Sequence, residues 1–308
     1  MMTNEQQRTR QGILFALGAY TMWGIAPIYF KALQEVAPFE ILSHRVIWSF
    51  FFLAGLIFLN KGWRTVAKTF TSKQKMLYLV STSLLVGTNW LIFIWAVNFN
   101  HMLDASLGYY INPLINVVLG MIFLGERLRK IQWLAVACAG IGVLVQLITF
   151  GSIPVVALAL AFTFGFYGLL RKKVNLDAQT GLFIETCVML PIAAIYLLFI
   201  AQSPTSDFAA NPTQLNILLI AAGIVTTLPL LCFTGAATRL KLSTLGFFQY
   251  IGPSLMFLLA VVIYDEAFTL DKGITFAFIW GALLIFTFDA FTHSRKNRKQ
   301  TRLALETE

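Results

Sequence analysis

The chain alternates long apolar runs with short polar segments, and each run is about as long as a membrane is thick. A helix needs roughly 20 apolar residues to cross the hydrocarbon core of a bilayer. Backbone polar groups find no water in lipid, so continuous apolar runs of this length are expected to be helices. The pattern predicts an all-α membrane protein with ten transmembrane helices, at residues 12–30, 41–59, 76–97, 105–124, 131–150, 153–170, 181–201, 215–237, 245–264 and 273–290.

Basic residues lie almost entirely on one side of these ten predicted helices. Lysine and arginine accumulate in the loops that face the cytoplasm. With a cytoplasmic N-terminus, only Lys31 and Lys272 fall on the outer side and Arg45 falls within a helix. The bias predicts a multi-pass inner-membrane protein with both termini in the cytoplasm. The other basic residues are then cytoplasmic: Arg8, Arg10, Lys61, Arg64, Lys68, Lys73, Lys75, Arg127, Arg129, Lys130, Arg171, Lys172, Lys173, Arg239, Lys241, Arg295, Lys296, Arg298, Lys299 and Arg302.

Composition agrees with a membrane protein and explains the net charge. Of the 308 residues, 58% are hydrophobic and 12% are charged, whereas about 25% are charged in a soluble domain. In a soluble protein the net charge of +9 would suggest a nucleic-acid partner. Here the charge follows from topology, so we expect the lipid bilayer as a partner and no nucleic acid. Residues 291–308 are predicted to form a basic cytoplasmic tail that is solvated or touches anionic lipid heads.

A short motif occurs twice, 140 residues apart. Tyr110-Ile111-Asn112-Pro113 is followed by Glu126, and Tyr250-Ile251-Gly252-Pro253 is followed at the same spacing by Glu266. The repeat predicts two five-helix halves, at residues 1–150 and 151–290. Five is an odd number, so the second half enters the membrane from the opposite side. Inverted repeats of this kind are typical of secondary transporters, whose binding site lies between the halves.

The repeated prolines are candidate hinges. Proline removes a helical hydrogen bond and crowds the preceding turn, so Pro113 and Pro253 predict two kinked helices. Each kink could gate one side of a transport pathway, or it could be a static bend set by packing. The residues alone favour neither alternative.

Two ionisable residues inside the predicted helices are candidates for function, because charge in hydrocarbon is costly. Arg45 in the second helix and Glu185 in the seventh are repeat-related at an offset of 140, so they need not touch. Arg45 could attract an anionic substrate, and Glu185 could carry a coupling proton. Snorkelling at the interface or a structural ion pair is the alternative. Glu126, followed by Arg127 and Arg129, predicts a salt bridge within a loop.

A set of polar and aromatic side chains within the helices predicts the lining of a substrate cavity. Amides in a membrane need partners or water, and rings with a polar tip suit small amphipathic solutes. Tryptophan and tyrosine also mark membrane interfaces, so cavity lining competes with that alternative. The candidates are Trp23, Asn89, Trp90, Tyr110, Asn112, Gln249 and Tyr250.

Motifs of catalysis and ATP hydrolysis are missing from the sequence. It contains no G-x-x-x-x-G-K-[ST], H-E-x-x-H or G-x-S-x-G. The three cysteines lie far apart in apolar runs. We therefore expect no enzyme activity, no metal and no cofactor. A transporter of small molecules, acting as a monomer or dimer, is the leading hypothesis. An uncoupled facilitator and a non-transporting membrane scaffold are the alternatives.

Longer segments resemble one known family. These are YTMWGIAPIYFK from Tyr20, EILSHRVIWSFF from Glu40, NWLIFIWAV from Asn89, ASLGYYINPLINVVLGMIFLGE from Ala105, and TTLPLLCFTGAATRLKLSTLGFFQYIGPSLMF within 221–257. The chain resembles the drug/metabolite transporter superfamily in its EamA group over nearly its whole length. The resemblance implies a bacterial inner-membrane permease with a central cavity and alternating access. It also implies drug or metabolite efflux and a link to chloramphenicol sensitivity.

Overall fold

The computed structural model describes residues 4–98, 102–151, 153–263 and 270–306. Within these ranges the chain forms helices and no strand, which confirms the predicted all-α fold. A π-helical turn, Tyr196–Ile200, extends α8. The helices are α1 (Asn4–Lys31), α2 (Pro38–Leu59), α3 (Trp63–Phe70), α4 (Lys73–Asn98), α5 (Met102–Leu124), α6 (Lys130–Phe150), α7 (Val155–Val174), α8 (Ala178–Ile195), α9 (Thr213–Ala237), α10 (Leu242–Gln249), α11 (Ile251–Val262) and α12 (Leu270–Glu306).

Nine helical segments of the described chain are long and apolar enough to cross a membrane, and a tenth apolar stretch, Gly273–Asp289 of α12, is shorter. These correspond to the ten predicted spans. Two local features were not predicted. The short helix α3 lies in the loop between the second and third spans, and α12 continues to Glu306, so residues 291–306 are helical. The cytoplasmic position of this basic tail stays a prediction.

The two proline motifs differ in local structure. Helix α5 runs on through Pro113, whereas the ninth span is divided at Tyr250 into α10 and α11. Pro253 is the third residue of α11. The first four N–H groups of a helix have no intrahelical acceptor, so proline at this position removes no bond. Whether either proline acts as a gate stays a prediction.

Repeat-related residues touch each other, which reveals a two-fold axis. The Tyr250 hydroxyl donates to the carbonyl of Tyr110 (3.2 Å), 140 residues away. The thiol of Cys138 donates to the carbonyl of Phe278 (3.2 Å), again 140 residues away. A residue can contact its own repeat mate only close to the axis that relates them. The axis therefore passes between α5 and α10 and between α6 and α12.

Other helix contacts occur in pairs that the two-fold axis relates. A contact of α1 with α11 has its counterpart in a contact of α7 with α5. A Cβ on Gly24 of α1 would lie 2.7 Å from Cβ of Leu255 in α11. A Cβ on Gly165 of α7 would lie 2.9 Å from Cγ2 of Ile115 in α5. Gly165 lies 141 positions after Gly24, and Leu255 lies 140 positions after Ile115, so the two contacts are related by the repeat. Glycine lets each helix pair approach closely. These contacts support two inverted halves, while the boundaries at residues 150 and 290 stay predictions.

Candidate functional site

A small cavity lies between the halves, enclosed by helices from both. Its volume is about 20 Å³, which is room for roughly one water molecule and far less than the roughly 300–1,000 Å³ of a site for a drug-sized ligand. In this structure the cavity is therefore too small for a ligand of that size. The walls are Arg45, Val46, Ser49 and Leu53 of α2, Val86 and Trp90 of α4, Tyr167 of α7, Leu182, Glu185, Thr186 and Met189 of α8, and Thr226, Thr227 and Leu230 of α9.

Arg45 forms one charged wall of the cavity. Its Nε donates to the hydroxyl of Thr226 (2.7 Å). The guanidinium carbon lies 4.7 Å from the ring centre of Trp90 and 5.6 Å from that of Phe30. Cation–π contacts of this kind contribute about 2 kcal/mol where water is excluded. Among the side chains that the structure describes, no carboxylate lies within 4 Å of Arg45.

Glu185 forms the other charged wall, and three side chains hold it. Thr82 donates to its Oε1 (2.5 Å), and Tyr167 donates to its Oε2 (3.4 Å). Nη1 of Arg171 lies 3.4 Å from Oε1. Arg171 and Glu185 are 0% and 1% exposed, so this is a buried ion pair. A removal of either partner would leave a buried charge unpaired.

The start of α8 is built to admit Arg171. Asp177 caps the helix by accepting from the N–H of Thr180 (2.8 Å), as N-terminal caps commonly do. One residue later, a Cβ on Gly181 would lie only 1.9 Å from Nη1 of Arg171. Glycine is therefore required there, because its bare Cα leaves the space that the guanidinium fills.

Four of the predicted cavity residues lie in contacts between helices and not among the walls of this cavity. They are Asn112, Gln249, Tyr110 and Tyr250. Asn112 donates to the carbonyl of Ala161 in α7 (2.8 Å) and accepts from Asn116 (3.1 Å), which also donates to Gln249 (2.5 Å). This amide chain joins α5 to α7 and α10. Tyr250 bonds to the backbone of Tyr110 at the same contact. These bonds occupy the amide groups in contacts between helices, except that the buried Oδ1 of Asn116 has no hydrogen-bond partner in the described structure.

Trp23 and Asn89 likewise take part in packing. The ring of Trp23 contacts Phe164, its repeat mate at an offset of 141, with ring centres 5.9 Å apart. Asn89 donates to the carbonyl of Leu160 and to the hydroxyl of Thr163, both at 2.9 Å, which joins α4 to α7. Of the predicted site residues, the structure brings Arg45, Trp90 and Glu185 together on one cavity.

Sequence reasoning missed Arg171, the buried partner of Glu185. It stands first in the basic run Arg171–Lys173, and such a run predicts a cytoplasmic loop. A signal was available: Tyr167 and Arg171 are four residues apart, which places them on one face of a helix. Both then face Glu185.

The turn between α9 and α10 is clamped by charged side chains. Glu126 accepts from the N–H groups of Leu242 (2.6 Å) and Ser243 (2.9 Å) and from the Ser243 hydroxyl (2.6 Å). Lys172 donates to the carbonyl of Leu240. A carboxylate at a helix N-terminus satisfies unpaired donors and favours the helix dipole. The clamp holds an element of the first half against an element of the second.

This arrangement differs from the predicted loop salt bridge of Glu126. Arg129, which was expected to pair with it, instead forms an ion pair with Asp289 of α12. Backbone N–H groups at the start of α10 compete better for Glu126 because they are fixed and point at it together. Glu266, the repeat mate of Glu126, lies outside the described residues.

Glu126→Ala is expected to lower the free energy of unfolding by about 1–2 kcal/mol, the usual contribution of a helix cap. Thermal unfolding of the purified protein measures the change. Glu35→Ala removes an exposed carboxylate and serves as a control, with an expected effect within about 0.5 kcal/mol. Equal stability of the two variants would contradict the capping role.

Comparison with known proteins adds the family. A profile described as the EamA-like transporter family matches residues 10–148. An uncharacterized transporter of Vibrio cholerae is 68% identical over 97% of this chain and 99% of its own. Protein RarD of Escherichia coli K12 is 61% identical over 96% and 100%, respectively. A Pseudomonas aeruginosa protein named chloramphenicol-sensitive protein RarD is 31% identical over 95% and 97%.

A solved structure shares the fold. One crystal structure superposes with a TM-score of 0.71 at 17% identity, covering 90% of this chain and 97% of that one. Three observations point to the same family. They are the ten apolar segments, the cavity between two halves and the identity to RarD proteins over nearly the whole chain. The chain belongs to the EamA-like transporter family, in the group that contains the RarD proteins.

Proposed function

We propose that this protein is a secondary transporter of the inner membrane that exports small drugs or metabolites by alternating access. One observation carries the proposal: a small cavity with an arginine and a carboxylate in its lining lies between helices of the two halves. Transporter sites of this kind lie at the repeat interface near the middle of the membrane. Both termini are then cytoplasmic, and the protein works as a monomer or dimer.

Coupling to protons is assigned to Glu185 in this proposal. Its carboxylate borders the cavity and is paired with Arg171. Protonation of Glu185 would release Arg171 from this pair, and the released cation would favour a rearrangement of α7 against α8. An intramembrane carboxylate with a named partner is the usual form of a proton relay.

An uncoupled facilitator is the second candidate, and a specific observation favours it. Thr82, Tyr167 and Arg171 together hold Glu185, which is also what a permanent structural ion pair would show. In that case the same cavity passes solutes down their gradient, and the pH difference across the membrane has no effect on net flux.

Transport in proteoliposomes tests the proposal and separates the two candidates. The probes are radiolabelled chloramphenicol, chosen for the name of the Pseudomonas relative, and radiolabelled benzenesulfonate, an organic anion. Flux is measured with and without an imposed pH gradient. The variant is Arg171→Gln with Glu185→Gln, which removes the titratable carboxylate without leaving a buried cation unpaired.

Gradient-driven flux of either probe that is lost in the double variant is the expected result. Flux that ignores the gradient would favour the facilitator. If neither probe crosses faster than through protein-free liposomes, the transport proposal is contradicted.

A further inference from the structure

The charges around the cavity do not balance. Glu185 is compensated by Arg171 at 3.4 Å and by the hydroxyls of Thr82 and Tyr167. The pair of Glu185 and Arg171 is therefore neutral as a unit. Arg45 adds one positive charge to the lining of the same cavity. Within the described side chains it has no carboxylate within 4 Å.

Arg45 also has unused donors. A guanidinium carries five N–H donors in a planar fork that matches a carboxylate or a similar anion. Only Nε has an acceptor among the described residues, the Thr226 hydroxyl. The rings of Trp90 and Phe30 stabilise the cation through their faces, and those contacts leave the N–H edge of the guanidinium unoccupied.

A further donor lines the same cavity. The Thr227 hydroxyl is buried, with the residue 1% exposed, and it has no hydrogen-bond partner in the described structure. An unpaired buried hydroxyl costs free energy that a ligand can recover. The rest of the wall is largely apolar and includes Leu53, Leu230 and Met189.

We propose that the substrate is a small organic monoanion with an apolar or aromatic body. Once the cavity has widened beyond its present volume, the anionic group binds the terminal N–H groups of Arg45 and the Thr227 hydroxyl, and the body lies against Trp90 and the aliphatic side chains toward Glu185. This inference rests on the proposed transport function and names its substrate class. A zwitterion is disfavoured because Glu185 is already paired, and a cation is repelled by Arg45.

Four probes of similar size that differ in charge test the inference by isothermal titration calorimetry in nanodiscs. Benzenesulfonate is a permanent anion, benzenesulfonamide is neutral, phenyltrimethylammonium is a permanent cation, and phenylglycine is a zwitterion at neutral pH. Wild-type protein is expected to bind the anion at least tenfold more tightly than each of the other three. Equal or tighter binding of any of these, or no binding of the anion, would overturn the inference.

Variants localise the effect to Arg45. Arg45→Gln is expected to weaken binding of the anion at least tenfold, whereas Arg45→Lys keeps the charge and part of the affinity. Arg64→Gln removes an exposed arginine of α3 and is expected to leave binding unchanged. Unaltered binding of the anion by folded Arg45→Gln would overturn the assignment. If Arg45→Gln does not fold, the comparison of the four probes on wild type and Arg45→Lys decides.

The same probes in proteoliposomes keep the two proposals apart. If the anion binds through Arg45 but neither benzenesulfonate nor chloramphenicol crosses the membrane, the anion site stands and transport is contradicted. If chloramphenicol crosses and the anion does not bind, transport stands and the substrate class is wrong.

Discussion

Glu185→Gln is expected to destabilise the protein by about 3–5 kcal/mol, the cost of breaking a buried ion pair by removing one partner. Arg171 is 0% exposed, and none of its guanidinium nitrogens makes a hydrogen bond in the described structure. Glu185 is therefore its only described compensation, at 3.4 Å. Glutamine keeps the shape and the bond to Thr82 but leaves the cation unpaired.

Adding Arg171→Gln to Glu185→Gln is expected to recover most of this loss. The double variant has two neutral amides where the ion pair was, and replacing a buried pair by neutral groups is often close to neutral for stability. Thermal unfolding of the wild type, both single variants and the double variant gives the coupling between the two residues. A double variant less stable than Glu185→Gln would show that the residues act independently.

Gly223→Ala is expected to destabilise the protein by about 3 kcal/mol or more, at the upper range for overpacking. A Cβ on Gly223 of α9 would lie 2.4 Å from the carbonyl carbon of Trp48 and 2.7 Å from the nitrogen of Ser49, both in the backbone of α2. A backbone cannot move aside as a side chain can, so α2 and α9 would have to separate.

Separation of these helices would also open the Arg45 wall of the cavity. The Ser49 hydroxyl donates to the carbonyl of Gly223 (3.2 Å), and Arg45 donates to Thr226 one turn further along α9. We therefore expect Gly223→Ala to lose binding and transport together with stability. Yield, thermal unfolding and flux in proteoliposomes measure the three effects.

Gly55→Ala is the matched control on α2. Nothing lies within 4 Å of the Cβ that it adds, and alanine is favoured over glycine in a helix by about 0.5–1 kcal/mol. It is expected to be as stable as wild type or slightly more so. If Gly223→Ala unfolds at the same temperature as Gly55→Ala, the close contact of α2 and α9 is not needed for the fold.

The repeat was visible in the sequence as a short motif, and the structure explains why so few residues matched. Residues on the two-fold axis meet their own mates, as Tyr110 meets Tyr250 and Trp23 meets Phe164. Such positions have to suit both partners at once. Arg45 and Glu185 are also repeat-related and line one cavity, but their charges are opposite and their partners differ: Thr226 for Arg45 and Arg171 for Glu185.

The sequence did not show which polar residues border the cavity and which lie in contacts between helices. Arg45, Trp90 and Glu185 border the cavity, whereas Asn112 and Gln249 bond within helix contacts. An amide in a transmembrane helix needs a partner, but its own sequence does not say whether that partner is water in a cavity or another helix.

The sequence by itself determined the number, the approximate positions and the helical nature of the membrane spans, but not where each helix begins and ends. Each span depends on local properties: about 20 apolar residues in a row, and a backbone that has to bond to itself in lipid. Only the tertiary structure decided which charges meet. Arg171 and Glu185 are 14 residues apart on different helices, and Arg171 reaches Glu185 because Gly181 leaves its space empty. Such a pairing depends on how α7 and α8 both pack on α4 and α9, which no run of apolar residues specifies.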